Sequence, residues 1–106
     1  MVTEDSIDVP HDALVERAGE VLTTTLASRE LVMLDVEQGL YFGVEDVARY
    51  VWETLAVPRT VAEVVDGVRA AFPDADPQAA DREVRAFLAD LLRHRLVRVV
   101  PEAERA

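Results

Sequence analysis

Two histidines, His11 and His94, are the first candidates for chemistry in this chain, and they stand far apart in sequence. A metal site needs His, Cys or carboxylate ligands converging at suitable spacing. His94 is flanked by Arg93 and Arg95, which repel a cation, and there is no cysteine anywhere in the chain. That composition removes disulfides, thiolate metal sites and thiol nucleophiles together. Ser6 and Ser28 are the only serines, and neither lies in a strand-to-helix nucleophile turn. Gly19, Gly39, Gly43 and Gly67 form no phosphate-cradling loop. Carboxylates are abundant, 21 against 11 basic residues, so close pairs are expected by chance. Glu45-Asp46 sit where they would face the positive end of a helix, a stabilising place that requires no catalysis. These residues predict no enzyme, no metal and no cofactor.

The elements around them are more informative. The chain has 106 residues, half of them hydrophobic, which suits one folded domain with a modest core. No window reaches the roughly 18 consecutive apolar residues of a membrane span. The acidic start, Met1-Val-Thr-Glu-Asp-Ser, has neither the basic nor the apolar region of a signal peptide, so a cytoplasmic protein is expected. Net charge is −10. Such acidity opposes nucleic-acid backbones, whose binding rests on Lys and Arg, and favours a basic partner.

Residues 1–19 form an N-terminal extension of open structure, with His11 to Ala18 readable as a short helix or an extended arm. From Val21 the residues turn β-branched, and three strands are expected: Val21–Ala27, Leu31–Val36 and Leu40–Gly43. Ser28-Arg-Glu30 and Glu37-Gln-Gly39 are the tight connections of an antiparallel meander. Then the period changes. Val44, Val47, Ala48, Val51, Trp52 and Leu55 form one apolar helix face, stopped by Pro58. Thr60-Val-Ala-Glu63 is a capping box opening a second helix through Val61, Val64, Val65, Val68 and Phe72. Asp76 and Pro77 are an N-cap and a first helical residue for a third helix that runs to about Arg95. Leu96–Val100 reads as a short closing strand. The fold class is therefore α+β, winged helix-turn-helix-like, with a three-stranded antiparallel sheet followed by three helices. The domain spans 20–101, and 102–106 is a tail.

A winged helix suggests DNA binding, with the third helix as the reader. Here that helix begins among Asp74, Asp76, Asp81 and Glu83, opposed by only Arg82 and Arg85. Carboxylates aimed at a phosphate groove argue against a DNA-binding regulator, and an adaptor for a folded protein partner is the other alternative.

The ordered set Leu34-Asp35, Gly39, Tyr41-Phe42-Gly43, Val51-Trp52, Leu55, Pro58-Arg59-Thr60-Val61, Phe87-Leu88 and Leu91 resembles the PqqD-like family of RiPP recognition elements. These small domains bind leader peptides of ribosomally made natural-product precursors. The resemblance covers roughly residues 20–100, and is most like the stand-alone type of lasso-peptide biosynthesis. Where the family often has Leu-Asn and a Gly before Ile-Trp, this chain has Val44-Glu45 and Ala48. The resemblance implies that a precursor leader is captured and presented to a leader peptidase, with a cyclase acting afterwards. A chaperone for the PQQ precursor is the nearest alternative within the family.

The strand Leu40–Gly43, placed at a sheet edge, can accept an added strand, with backbone bonds for affinity and side-chain pockets for specificity. Its expected contacts are Leu40, Tyr41, Phe42, Gly43 and Val44. The resemblance places the third helix along the other wall of the groove. Ala80, Val84, Leu88 and Leu92 are expected to line it, with Arg85 near the rim. The net charge predicts a leader carrying Lys or Arg near its bound segment, held less tightly as salt rises.

Overall fold

The computed structural model describes residues 9–26 and 30–105. Four strands come first: β1 (Leu14–Arg17), β2 (Val21–Thr25), β3 (Leu31–Asp35) and β4 (Leu40–Val44). Helix α1 (Asp46–Thr54) follows, then a two-residue strand β5 (Arg59–Thr60), α2 (Val61–Ala71), α3 (Pro77–Arg93) and β6 (Val97–Val99). A single 3₁₀ turn, Glu102–Glu104, ends the described chain.

β2, β3 and β4 form the expected antiparallel meander, with β3 in the middle. Strand alternation sorts its side chains by face. Thr23, Met33 and Phe42 pair across the inner face, while Leu22, Leu34 and Tyr41 pair across the outer one. Met33 is fully buried, and Leu31 and Val44 join it beneath the sheet. Gly39 closes the β3–β4 turn at φ +68°, a left-handed conformation that costs a residue with a side chain about 1–2 kcal/mol. Its amide donates to the Asp35 carbonyl at 2.8 Å. Of the expected Ser28-Arg-Glu30 loop, residues 28 and 29 lie outside the described residues. The Leu26 amide, which donates to the Glu30 carbonyl at 3.1 Å, closes that hairpin.

The segment left open between a helix and an arm is extended, and it builds a second sheet. β1 lies between β5 and β6, antiparallel to both. Val9, Ala13 and Val15 are buried there, so this stretch belongs to the core. A second three-stranded sheet thus stands in addition to the expected one. The partners of β1 lie more than forty residues away in sequence, at Arg59–Thr60 and Val97–Val99.

The three helices pack on one another, with α2 also against β5 and α3 against β6. α1 is capped by Glu45 without a side-chain bond and ends at Leu55. The capping box of α2 is complete: the Glu63 amide donates to Thr60 Oγ1 at 3.1 Å, and the Thr60 amide donates to Glu63 Oε1 at 2.8 Å. Those bonds, the backbone one foremost, hold the Glu63 carboxyl below its ordinary range. Asp76 caps α3 through a bond from the Gln78 amide at 3.2 Å, with Pro77 in the first turn as expected. α3 stops at Arg93, earlier than the periodicity suggests, because Arg95 takes a left-handed φ of +62°.

Trp52 anchors this core with Val51, Leu55, Val64, Val68, Val84 and Leu88. Each such fully buried side chain contributes on the order of 1.5–3 kcal/mol. The Arg17 guanidinium lies 4.2 Å from the Trp52 ring and donates to the Trp52 carbonyl, clamping β1 onto α1. Gly67 lets the Tyr50 ring approach α2, where a Cβ would lie 2.9 Å from its hydroxyl.

Candidate functional site

Among the described residues β4 is an outer strand of its sheet, so one row of its backbone amides and carbonyls has no partner strand there. Its two ends are set by the turn at Gly39 and by Val44, whose side chain is buried just before α1 begins. Beside this edge lies a groove of about 460 Å³. Tyr41, Phe42, Gly43 and Val44 form the strand side, and Phe87, Asp90, Leu91 and His94 form the α3 side, with Met33 and Leu96 beneath. The groove is therefore apolar at its floor, with a carboxylate and an imidazole on one wall.

Four polar contacts order one end of the groove, and one of them reaches the helix. The Asp35 carboxylate, only 3% exposed, accepts from the Glu37 amide at 3.1 Å, from the Gln38 amide at 3.4 Å and from the Gln38 side chain. Gln38 Nε2 also donates to the His94 carbonyl at 2.9 Å, at the end of α3. The β3–β4 turn is thus tied to the last turn of the helix. Inside the groove, the Phe42 and His94 rings meet edge to face at 5.2 Å. Asp90 pairs with Arg93 at 2.7 Å.

The expected strand residues all lie on or next to this groove. Tyr41 is the most open of them at 72% exposure, on the outer face, and Leu40 is exposed at the strand's start. Phe42 faces inward, half-buried, and Gly43 sits at the exposed edge. Val44 is buried at the floor.

The expected helix residues lie elsewhere. Ala80, Val84 and Leu88 are buried in the core, Val84 and Leu88 completely, and Leu92 is half-buried against it. An apolar stripe that wide can face either the core or the groove, and burial of the largest side chains wins the core position. Arg85 is drawn away too. Its Nε pairs with Asp81 at 3.1 Å and its Nη1 donates to the Val9 carbonyl at 2.9 Å, holding the N-terminal segment. His11 joins that cluster 3.5 Å from Asp81.

The helix wall is instead Phe87, Asp90, Leu91 and His94, spaced i, i+3, i+4 and i+7. Two of these are polar, so a search for apolar periodicity passes over them. His94 is the C-cap of α3 and half-buried against Phe42. Among the described residues, no group of three or more His, Cys, Asp or Glu side chains could hold a metal ion. Also among the described residues, no helix is long and apolar enough to cross a membrane.

Comparison with known proteins agrees with this geometry. The fold is similar to a solved structure described as TbiB1 in complex with the TbiA(beta) leader peptide, with a TM-score of 0.68 and 25% identity. The similarity covers 82% of this chain and 99% of that one. No match was found among curated proteins. Residues 30–97 match the family model for PqqD, coenzyme PQQ synthesis protein D. That match takes in the meander's last two strands, all three helices and both walls of the groove, and the chain belongs to the PqqD family.

Proposed function

We propose that this protein is a RiPP recognition element that binds the leader region of a ribosomally made precursor peptide. The leader adds as a strand to β4 and lays its alternate side chains into the groove against α3. The observation that carries this reading is the free edge of β4 lying beside a part-apolar groove whose other wall is a helix. Backbone bonds along the edge supply affinity that any sequence can use, and the groove supplies selectivity. Support comes also from TbiB1, which is described in complex with a leader peptide.

The protein contributes no catalytic group in this reading. It captures the leader and presents it to separate processing enzymes, a leader peptidase and a cyclase of the lasso type. The energetics suit such a task. Ordering a flexible peptide costs about 2–5 kcal/mol of the gross interaction. A strand-sized contact falls below about 1,200 Å², at the small end of specific interfaces. Capture with ready release is the expected balance. The acidity of the chain, −10 overall, favours a leader with basic residues.

The test is fluorescence polarisation with the labelled leader segment of a candidate ribosomal precursor peptide. Wild type is expected to bind, and a folded Phe87→Asp variant to bind at least tenfold more weakly. Equal binding by that variant, with folding verified by circular dichroism, would remove α3 from the site. Binding to duplex DNA at moderate salt in place of the leader would overturn the reading altogether.

A further inference from the structure

Phe87, on the helix wall of the groove, also lines a second cavity of about 590 Å³. Val47, Ala48, Phe72 and Phe87 give it an apolar interior, and Glu45, Asp46 and Glu83 stand at its margin. All three carboxylates are exposed, and among the described residues none of them is in an ion pair. Glu45 is the N-cap of α1 yet makes no capping bond with its side chain. Asp46 is held at φ +50°, outside the helical region, although it is the first residue of the helix. An apolar cavity with three carboxylates at its mouth matches one kind of side chain, an apolar stem ending in a cation. Neither the main groove, with Asp90 paired to Arg93, nor the polar notch at its other end, where Asp35 and Glu37 face Arg93 and Arg95, has that character.

The polarity of a docked strand decides which end of the peptide reaches this cavity. Every strand pair in the two described sheets is antiparallel, and antiparallel pairing is slightly the more stable per residue. A peptide added antiparallel to β4 has its N-terminal side at Val44 and its C-terminal side at Leu40. The cavity begins at Glu45, directly beyond Val44. The residue entering it therefore precedes the paired segment, and at about 3.3 Å per residue one to three positions of extended chain span the step.

We propose that this cavity is a subsite for a Lys or Arg side chain lying just N-terminal to the strand-forming segment of the bound peptide, with Glu45, Asp46 and Glu83 meeting its charge. The proposal rests on the peptide-binding reading above and adds to it the position and sign of a selective contact. Its consequence is directional: a basic residue ahead of the segment strengthens binding, and one behind it does not.

Selection from a random linear-peptide display library on immobilised protein tests this directly. Wild type is expected to enrich peptides with an apolar segment preceded by Lys or Arg. The double variant Glu45→Gln, Glu83→Gln is expected to enrich the same apolar segment without that basic position. Replacing the basic residue of one selected peptide by methionine is expected to weaken binding to wild type about fivefold, and to the variant hardly at all. Raising salt should shrink the wild-type difference. Enrichment of apolar segments with no preceding basic residue would overturn the subsite while leaving peptide binding intact. Persistence of the basic preference in the double variant would place the cation elsewhere and overturn it equally. Failure of wild type to enrich any peptide would overturn both readings.

Discussion

In the sheet β5-β1-β6 the outer strands are two and three residues long, and in the sheet β2-β3-β4 both outer strands have five. The short edges of the first are too small to template another chain, and its middle strand is committed to the core through Val15. The second sheet keeps two long edges, yet they are not equivalent. β2 carries three consecutive threonines, Thr23–Thr25, all exposed. β4 has α3 alongside and a groove between them. An open edge offers backbone bonds to any strand, and only an edge with a side-chain wall beside it can choose among strands. One sheet is closed into the core, and the other leaves one edge with a helix and a groove beside it.

Substitutions in the two sheets should separate these roles. The largest effect is expected from Val15→Asp in β1, which buries an unpaired charge and should abolish the cooperative unfolding transition in a urea titration. A folded Val15→Asp protein would show that the small sheet is dispensable. Asp35→Ala comes next. It leaves the turn amides and the Gln38 side chain without their acceptor, costing about 1–3 kcal/mol in denaturant unfolding. Because the same residues tie the turn to α3, peptide affinity should fall as well, whereas a purely stabilising role would leave it unchanged once the folded fraction is accounted for.

Thr60→Ala, at the junction of β5 and α2, should cost about 1 kcal/mol through loss of the cap and leave peptide affinity as it was. A measurable loss of affinity there would blur the division between the two sheets. The smallest effect is a pH dependence. The Glu63 carboxyl is depressed on folding, so its contribution is present above the ordinary carboxylate range and is lost as pH falls through its lowered folded value. Glu63→Gln should flatten the acid limb of the stability profile between those limits, as read by thermal melts from neutral pH downward.

What the chain's residues reveal on their own divides by the range of the interaction. The capping box at Thr60 and Glu63, the cap at Asp76, the turn at Gly39 and the edge residues Tyr41 to Val44 are local patterns, and each lies where the residue types require. β1 is not legible in this way, because Leu14–Arg17 becomes a strand only when Arg59–Thr60 and Val97–Val99 arrive beside it. The helix wall differs from expectation for another reason. Ala80, Val84 and Leu88 and the residues that line the groove, Phe87, Asp90, Leu91 and His94, lie on adjoining faces of one helix. Periodicity gives the width of its apolar stripe and leaves open which half meets the core. The signal that separates them is the mixture of Phe87, Asp90 and His94 at helical spacing, since polar groups on an otherwise apolar face mark its accessible half. Asp35 is visible as part of a motif, and its tie to His94 through Gln38 is a tertiary fact.

The pairing of β1 with β6 has a further consequence. Val15 lies opposite Val99, so the entry to the domain and its exit are neighbours in space. A polypeptide can therefore run in at one and out at the other without stretching the fold between them.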